Sequence, residues 1–329
     1  MYLLRRLTEE FYLFLRPMLF YFTRKDPEKA HDLLVNASKF LRKTSLDNLL
    51  LRYSHDKKNP QIEISNAAGF NKNGEIHPQF LRYLGFDRVV VGTVTAESWS
   101  GNPRPRIKRY VKKESLVNWM GLPGEGVDRV AENLSAHGSH EVPLTINLAS
   151  TPGKTGNYLL KDLEKTITIL KYLPYIDRFE LNISCPNIAD KNYYLIDLKD
   201  IIKCANENKS SQELYIKISP NLGISEIENI CEACMEFGAR GVTISNTTEL
   251  IYSYGGTSGN ELYSSSLETQ KLFYNFLTKN NLDLDIIACG GINSLERLAE
   301  RKKYGANKIQ VYTPLIFKGP KLLRELKIA

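Results

Sequence analysis

The chain is 329 residues long, 42% apolar and 25% charged, proportions that exclude wholesale disorder and collagen-like or fibrous architectures. Lys and Arg number 44 against 37 Asp and Glu, a formal charge of +7, and residues 1–60 alone hold 12 basic and 7 acidic residues. No dense Lys/Arg stripe sits in a recognisable nucleic-acid module, so no nucleic-acid partner is expected, whereas a locally basic end suits an anionic surface such as a membrane leaflet.

Residues 1–23 are rich in large apolar side chains, and Leu4, Leu7, Phe11, Phe14, Met18 and Phe22 recur at helical spacing. Arg5, Arg6, Glu9, Glu10 and Arg16 interrupt the stripe, and its longest charge-free run, 17–23, is far below the roughly 20 residues that a bilayer demands. A secretory signal is not expected either, because no continuous apolar region and small-residue cleavage site follow one another. Pro17 predicts the end of the first helix, or a kink in it. Asp26-Pro27 predicts the N-cap and first residue of a second helix running to about Leu41. Such a pair could pack on the body of the protein. It could also lie in a membrane interface through residues 1–23, and so many aromatics ahead of the first strand favour that second role.

From about residue 60 one motif repeats: a short β-branched run, a polar connection, then a helical pattern. The runs are 62–67, 88–95, 144–148, 178–183, 214–218, 241–245, 285–288 and 308–312. Eight strands alternating with helices predict an α/β fold, a (β/α)8 TIM barrel with an N-terminal amphipathic helical extension. A doubly wound sheet is the other arrangement considered, but no G-x-G-x-x-G follows the first strand. The division expected is residues 1–45 for the extension and 46–329 for the barrel. Five cysteines (185, 204, 231, 234, 289) lack a disulfide framework spacing, which suits a reduced, cytosolic compartment. Cys231 and Cys234 read as two small residues on one helix rather than as a metal or redox pair, and no metal site is expected.

In such a barrel chemistry belongs at the C-terminal strand ends. Those ends carry Ala68, Gly69 and Lys72 after strand one, Thr93 in strand two, Asn147 in strand three and Asn182 in strand four. Lys217 lies in strand five, Ser245, Asn246 and Thr247 end strand six, Gly291 follows strand seven, and Tyr312 and Thr313 end strand eight. An ammonium inside a barrel is costly unless an anion or dipole answers it, so Lys217 points to function. Gly290-Gly291 suits a phosphate, whose oxygens need close backbone N–H groups. The five histidines lie away from the strand ends and no carboxylate pair lines the mouth, which argues against histidine or paired-carboxylate catalysis. What remains is an amide-rich, cationic cavity with a phosphate seat and one thiol, Cys185. Amides of this kind read a planar hydrogen-bonding ring such as a pyrimidine or an isoalloxazine, and a thiol accepts a proton if its surroundings lower its pKa from about 8.5.

At this point the motifs resemble a known family. Asn-Ala-Ala-Gly-Phe-Asn-Lys-Asn-Gly-Glu (66–75), Val-Gly-Thr-Val-Thr (91–95), Gly-Asn-Pro-Arg-Pro-Arg (101–106), Val-Asn-Trp-Met-Gly-Leu (117–122), Leu-Asn-Ile-Ser-Cys-Pro-Asn (181–187), Ser-Asn-Thr-Thr (245–248), Gly-Gly-Thr-Ser-Gly (255–259) and the run 310–320 are similar to dihydroorotate dehydrogenase. Asp26-Pro-Glu-Lys-Ala-His31 is similar to the second N-terminal helix of its membrane-associated, quinone-linked class.

The resemblance implies FMN-dependent oxidation of dihydroorotate to orotate in pyrimidine synthesis, with electrons passed to a membrane quinone. It implies that Ala68, Gly69, Lys72, Thr93, Asn147, Asn182, Lys217, Ser245, Gly259, Gly291, Tyr312 and Thr313 hold FMN. Lys72, Asn118, Trp119, Met120, Gly121, Leu122, Asn182, Asn187, Asn246 and Thr247 would hold the substrate. Cys185 stands at the position of the base that takes the C5 proton while hydride leaves C6, with Lys72 and Lys217 assisting. Residues 1–45 would be the membrane- and quinone-docking segment, placing the protein peripherally on the cytoplasmic side of the cell membrane. The quinone-linked class usually carries Ser where Cys185 stands, Asn-Trp-Met-Gly-Leu-Pro-Gly (118–124) replaces that class's usual Asn-Arg-Met-Gly-Phe-Asn-Asn, and strand three ends Asn-Leu-Ala-Ser in place of Asn-Ile-Gly-Lys. The same barrel with a soluble acceptor such as fumarate is therefore the alternative, and a non-catalytic barrel holding a phosphorylated ligand is a third.

Overall fold

The computed structural model describes residues 2–42, 62–184, 198–249 and 255–327, and, within the first of these stretches, the side chains of residues 9–39. Its strands are β1 (Glu63–Asn66), β2 (Val89–Val94), β3 (Ile107–Tyr110), β4 (Ser115–Asn118), β5 (Leu144–Leu148), β6 (Ile176–Asn182), β7 (Glu213–Ile218), β8 (Gly241–Ile244), β9 (Thr248–Glu249), β10 (Gly256–Gly259), β11 (Asp285–Cys289) and β12 (Ala306–Val311). The helices are α1 (Tyr2–Phe22), α2 (Glu28–Arg42), α3 (Pro78–Leu84), α4 (Val127–Ser135), α5 (Asn157–Leu170), α6 (Leu198–Asn208), α7 (Ile224–Glu236), α8 (Asn260–Asn280), α9 (Leu295–Lys303), α10 (Thr313–Lys318) and α11 (Lys321–Leu326).

Eight strands run parallel in the order β1-β12-β11-β8-β7-β6-β5-β2, each covering one of the β-branched runs. Covered by helices outside and packed side chains inside, they read as near-continuous apolar sequence, as in Val89-Val90-Val91, all without exposure. The ring closes between β2 and β1 through a parallel bridge from Ser65 to Arg88. The Asn66 side chain completes the seam like an extra peptide group, giving a hydrogen bond to Val90 O (2.7 Å) and taking one from Val90 N (3.0 Å). At the opposite, N-terminal end, Arg88 and Arg178 share Glu63, at 3.2 and 2.9 Å, and Arg178 also reaches Glu213 at 3.2 Å, closing the barrel floor with paired charge.

A second sheet, absent from the expected organisation, lies at the C-terminal mouth in the antiparallel order β3-β4-β10-β9. It joins the long connection after β2 to the long connection after β8, with Asn118 opposite Gly256 and Ser115 opposite Gly259. Its strands are only two to four residues long, and β4 finds β10 about 140 residues away, so no local pattern announces the sheet that joins them.

The extension docks on the barrel. Glu9 pairs with Arg324 (2.8 Å), Tyr12 donates to Ile316 O (2.6 Å), Arg16 to Phe317 O, and Arg109 to Thr23 Oγ1 (2.8 Å). Pro17 does not end the first helix: α1 runs on through it to Phe22. Tyr12 and Arg16, on the turns before the proline, are held on α10, and this tertiary anchoring overrides the missing backbone bond. Asp26 caps α2 as expected, accepting from Glu28 N at 3.2 Å. The 45/46 boundary lies outside the described residues. The opposite face of α1 turns Phe11, Phe14, Met18, Tyr21 and Phe22 to solvent, with Phe14 78% exposed, so both roles weighed for the segment find a face. Cys231 and Cys234 are buried on α7, where burial pushes both thiols up to about 12, as two small core residues require.

Candidate active site

The strand ends converge on two adjoining cavities at the C-terminal mouth. One is lined by Ala68, Gly69, Lys72, Asn118, Met120, Lys217, Ser245, Asn246, Thr247, Gly259, Gly291, Tyr312 and Thr313. Its neighbour adds Thr93, Asn182, Gly121 and Leu122. Trp119 lines neither; its N–H donates to Arg106 O (3.0 Å) and its carbonyl accepts from Asn102 (2.7 Å). Cys185 and Asn187 lie outside the described residues.

Beneath the mouth, the polar residues form one directed chain. Asn246 Nδ2 donates to Asn182 Oδ1 (3.0 Å), Asn182 Nδ2 to Thr93 Oγ1 (3.1 Å), Thr93 to Asn147 Oδ1 (2.5 Å), and Asn147 Nδ2 to Glu180 Oε1 (2.7 Å). A carboxylate only accepts, so Glu180 at the end of the chain fixes which way every amide faces. Glu180 also accepts from Thr243 and Gln310, both at 2.6 Å, while Lys217 donates to Gln310 Oε1 (3.2 Å) and stands 3.9 Å from the carboxylate. Glu180 has no exposure and Lys217 only 4%, so the anion expected to answer the buried ammonium is Glu180. The same chain places Asn147 wholly buried below Thr93 rather than on the cavity wall.

Neither Glu180 nor Gln310 was legible as a site residue. Charged and amide groups in Phe-Glu-Leu and Ile-Gln-Val read as outward positions of a half-exposed strand, and only a barrel interior makes them inward. Glu28 was missed too. It sits on α2, 2% exposed, between Arg106 (Nε 2.9 Å, second fork nitrogen 3.0 Å), Arg104 (3.1 Å) and Lys72 (3.2 Å). Burial opposes its ionisation, but Arg106 and Lys72 outweigh that and hold the carboxyl down at about 2. Burial also pushes the Lys72 ammonium down, with Glu28 opposing the shift. His31, from the same helix, meets Phe70 O at 2.8 Å, so one histidine does approach the loop after β1.

The donor set fits a phosphorylated, ring-bearing ligand. Ile107, Leu116, Met120 and Leu262 share the cavity lining with the amides of Asn118, Asn246 and Gln310 and with Lys72 and Lys217. On its wall the N–H groups of Gly291 and Ile292 have no acceptor among the described residues. An amide-fixed floor carrying the Lys217 ammonium, and free N–H groups on the wall, are what a flavin ring and its terminal phosphate call for.

A family model described as dihydroorotate dehydrogenase matches residues 53–328. A Legionella pneumophila protein named dihydroorotate dehydrogenase (quinone) is 30% identical over 96% of this chain and 98% of its own length. A namesake from Cronobacter sakazakii is 33% identical over 96% and 98%. Among solved structures, an Eimeria tenella enzyme of the same abbreviated name, DHODH, in complex with ferulenol superposes with a TM-score of 0.78 at 26% identity, covering 92% of this chain and 90% of that one.

Proposed function

The chain belongs to the dihydroorotate dehydrogenase family, and we propose that it oxidises dihydroorotate to orotate for pyrimidine synthesis with FMN as cofactor, and passes the electrons to a membrane quinone. The observation that carries the reading is the directed amide chain ending on Glu180 beside Lys217, under a cavity whose wall offers unpartnered N–H groups. Both the Legionella and the Cronobacter relatives bear the quinone designation, which supports the acceptor.

Lys217, Thr93, Asn182, Ala68, Gly69 and Ser245 would hold the ring, with Asn147 orienting Thr93 from below. Gly259, Gly291, Tyr312 and Thr313 would hold the phosphate end. When bound, FMN supplies the two-electron acceptor. The Lys217 side chain would face the ring and supply a donor to it, and the barrel wall would exclude water there. Lys72, Asn118, Met120 to Leu122, Asn182, Asn187, Asn246 and Thr247 would orient dihydroorotate, whose carboxylate suits the Lys72 ammonium. Cys185 would take the proton from C5.

No helix among the described residues is long and apolar enough to cross a membrane. The exposed Phe11, Phe14, Met18 and Phe22 would instead seat α1 in the interface, on the cytoplasmic side, bringing an apolar quinone to the barrel mouth.

The visible spectrum of the purified full chain tests the assignment. Flavin bands that bleach when dihydroorotate is added without oxygen, and return with a short-chain quinone but not with fumarate, are expected. A protein that stays colourless when supplied with FMN, or flavin that dihydroorotate does not bleach, would overturn it.

A further inference from the structure

Behind the loop after β11, two arginines of α9 hold two consecutive carbonyls. The second guanidinium nitrogen of Arg301 donates to Gly290 O at 2.9 Å, and Arg297 donates to Gly291 O at 2.7 Å. Both guanidinium groups lie against the Tyr263 ring, at 5.2 and 4.2 Å from its centre. Gly290, Gly291 and Ile292 line the mouth cavity, and neither arginine does.

Peptide geometry gives this arrangement a direction. The 290–291 and 291–292 bonds are trans, so each N–H points opposite to the carbonyl of its own plane. With Gly290 O turned back to Arg301, Gly291 N–H faces away from it; with Gly291 O turned back to Arg297, Ile292 N–H does the same. These are the two N–H groups that lack an acceptor among the described residues. A charged donor on a carbonyl also polarises its peptide plane and strengthens the N–H on the far side.

Charge makes the second argument. Arg301 is fully buried, and its other bonds go to Ser266 O (3.1 Å), Ser266 Oγ and Gln270 Oε1 (2.9 Å), all neutral groups. Arg297 adds only Asn260 Oδ1 at 2.8 Å. Among the described residues no carboxylate is in ion-pair contact with either guanidinium. A buried cation with neutral partners alone is costly, and an anion one peptide plane away offsets that cost.

We propose that Arg297 and Arg301 are positioning residues for the phosphate of the bound flavin: they aim two consecutive N–H groups at it and supply, through the loop, the positive charge that the phosphate seat itself lacks. The proposal rests on the flavin reading above. It makes the two arginines matter for FMN and not for riboflavin, which has the same ring and no phosphate.

The test is titration of the flavin-stripped full chain with FMN and with riboflavin, followed by flavin fluorescence. In Arg301→Gln and in Arg297→Gln, FMN affinity should fall about tenfold to a hundredfold while riboflavin affinity stays within about twofold. Arg301→Lys, which keeps the charge, should recover most of the FMN loss. Arg297 is only half-buried, so its variant carries the test should Arg301→Gln fail to fold. Equal losses for both flavins would reduce the arginines to structural supports and overturn the proposal, as would unchanged FMN affinity. A wild-type chain that took up neither flavin would overturn the flavin reading itself.

Discussion

Lys217 and Glu180 stand 3.9 Å apart with Gln310 bonded to both, and neither has appreciable contact with water. Removing one member of such a pair strands the other charge. Lys217→Met should therefore cost about 3–5 kcal/mol of stability in urea unfolding. Adding Glu180→Gln should return more than half of it, because the stranded charge is gone, while bleaching by dihydroorotate stays slow. Additive losses in the double variant would show that the two charges do not act as a unit. Cys185 bears the second prediction at this scale. Cys185→Ala should slow flavin reduction by roughly 10²–10⁴ while orotate still binds, since one general base contributes about that much. Stopped-flow bleaching at near-normal rate would place the base elsewhere. Lys217 was legible because an ammonium inside a strand is conspicuous in the sequence; its counter-charge was not, because a lone glutamate in a strand is ordinarily an outward one.

At the level of elements, α1 faces two ways. Glu9, Tyr12 and Arg16 fasten it to α10 and α11, while Phe11, Phe14, Met18 and Phe22 stay outside. Full burial of a Phe or Met side chain is worth about 1.5–3 kcal/mol, so four of them partly buried in an interface amount to substantial anchoring. Changing these four to Gln should weaken co-sedimentation with anionic vesicles at least tenfold. Bleaching by dihydroorotate should be unchanged, because none of the four lines the mouth cavities. Undiminished vesicle binding would move the docking surface off α1. The outward stripe could be read from helical spacing alone. The fastening could not, nor could the continuity of α1 through Pro17, since both depend on partners some 300 residues downstream.

For the molecule as a whole, buried histidines set a lower pH limit. His77 caps α3 by accepting from Gln79 N (3.1 Å) and meets His137 O at 3.3 Å; His137 reaches Gly74 O at 2.6 Å, and His140 packs on Tyr175 with ring centres 4.1 Å apart. Burial, then the neighbouring His77, pushes His140 down to about 4, and burial with Lys72 pushes His31 down as well. A histidine whose pKa is depressed by folding takes up its proton in the unfolded chain first. Stability should thus fall between pH 6.5 and 4, by about 2–3 kcal/mol from His140, and level off for that group below pH 4. The urea midpoint followed over this range should lose part of that slope in His140→Gln; an unchanged slope would assign it to other groups. By itself the sequence determined the eight strands, because each parallel strand is covered on both faces and must be written as a short apolar run. It also determined the strand-end residues Lys72, Thr93, Asn182, Lys217 and Asn246 that now share one mouth. Tertiary structure alone decided the pairings: Glu180 with Lys217, Glu28 with Lys72, Arg301 with Gly290 O, and β4 with β10. The physical reason is that a local pattern records how much water each residue avoids, whereas a partner across the chain is chosen only when the barrel closes and distant residues share one dry space.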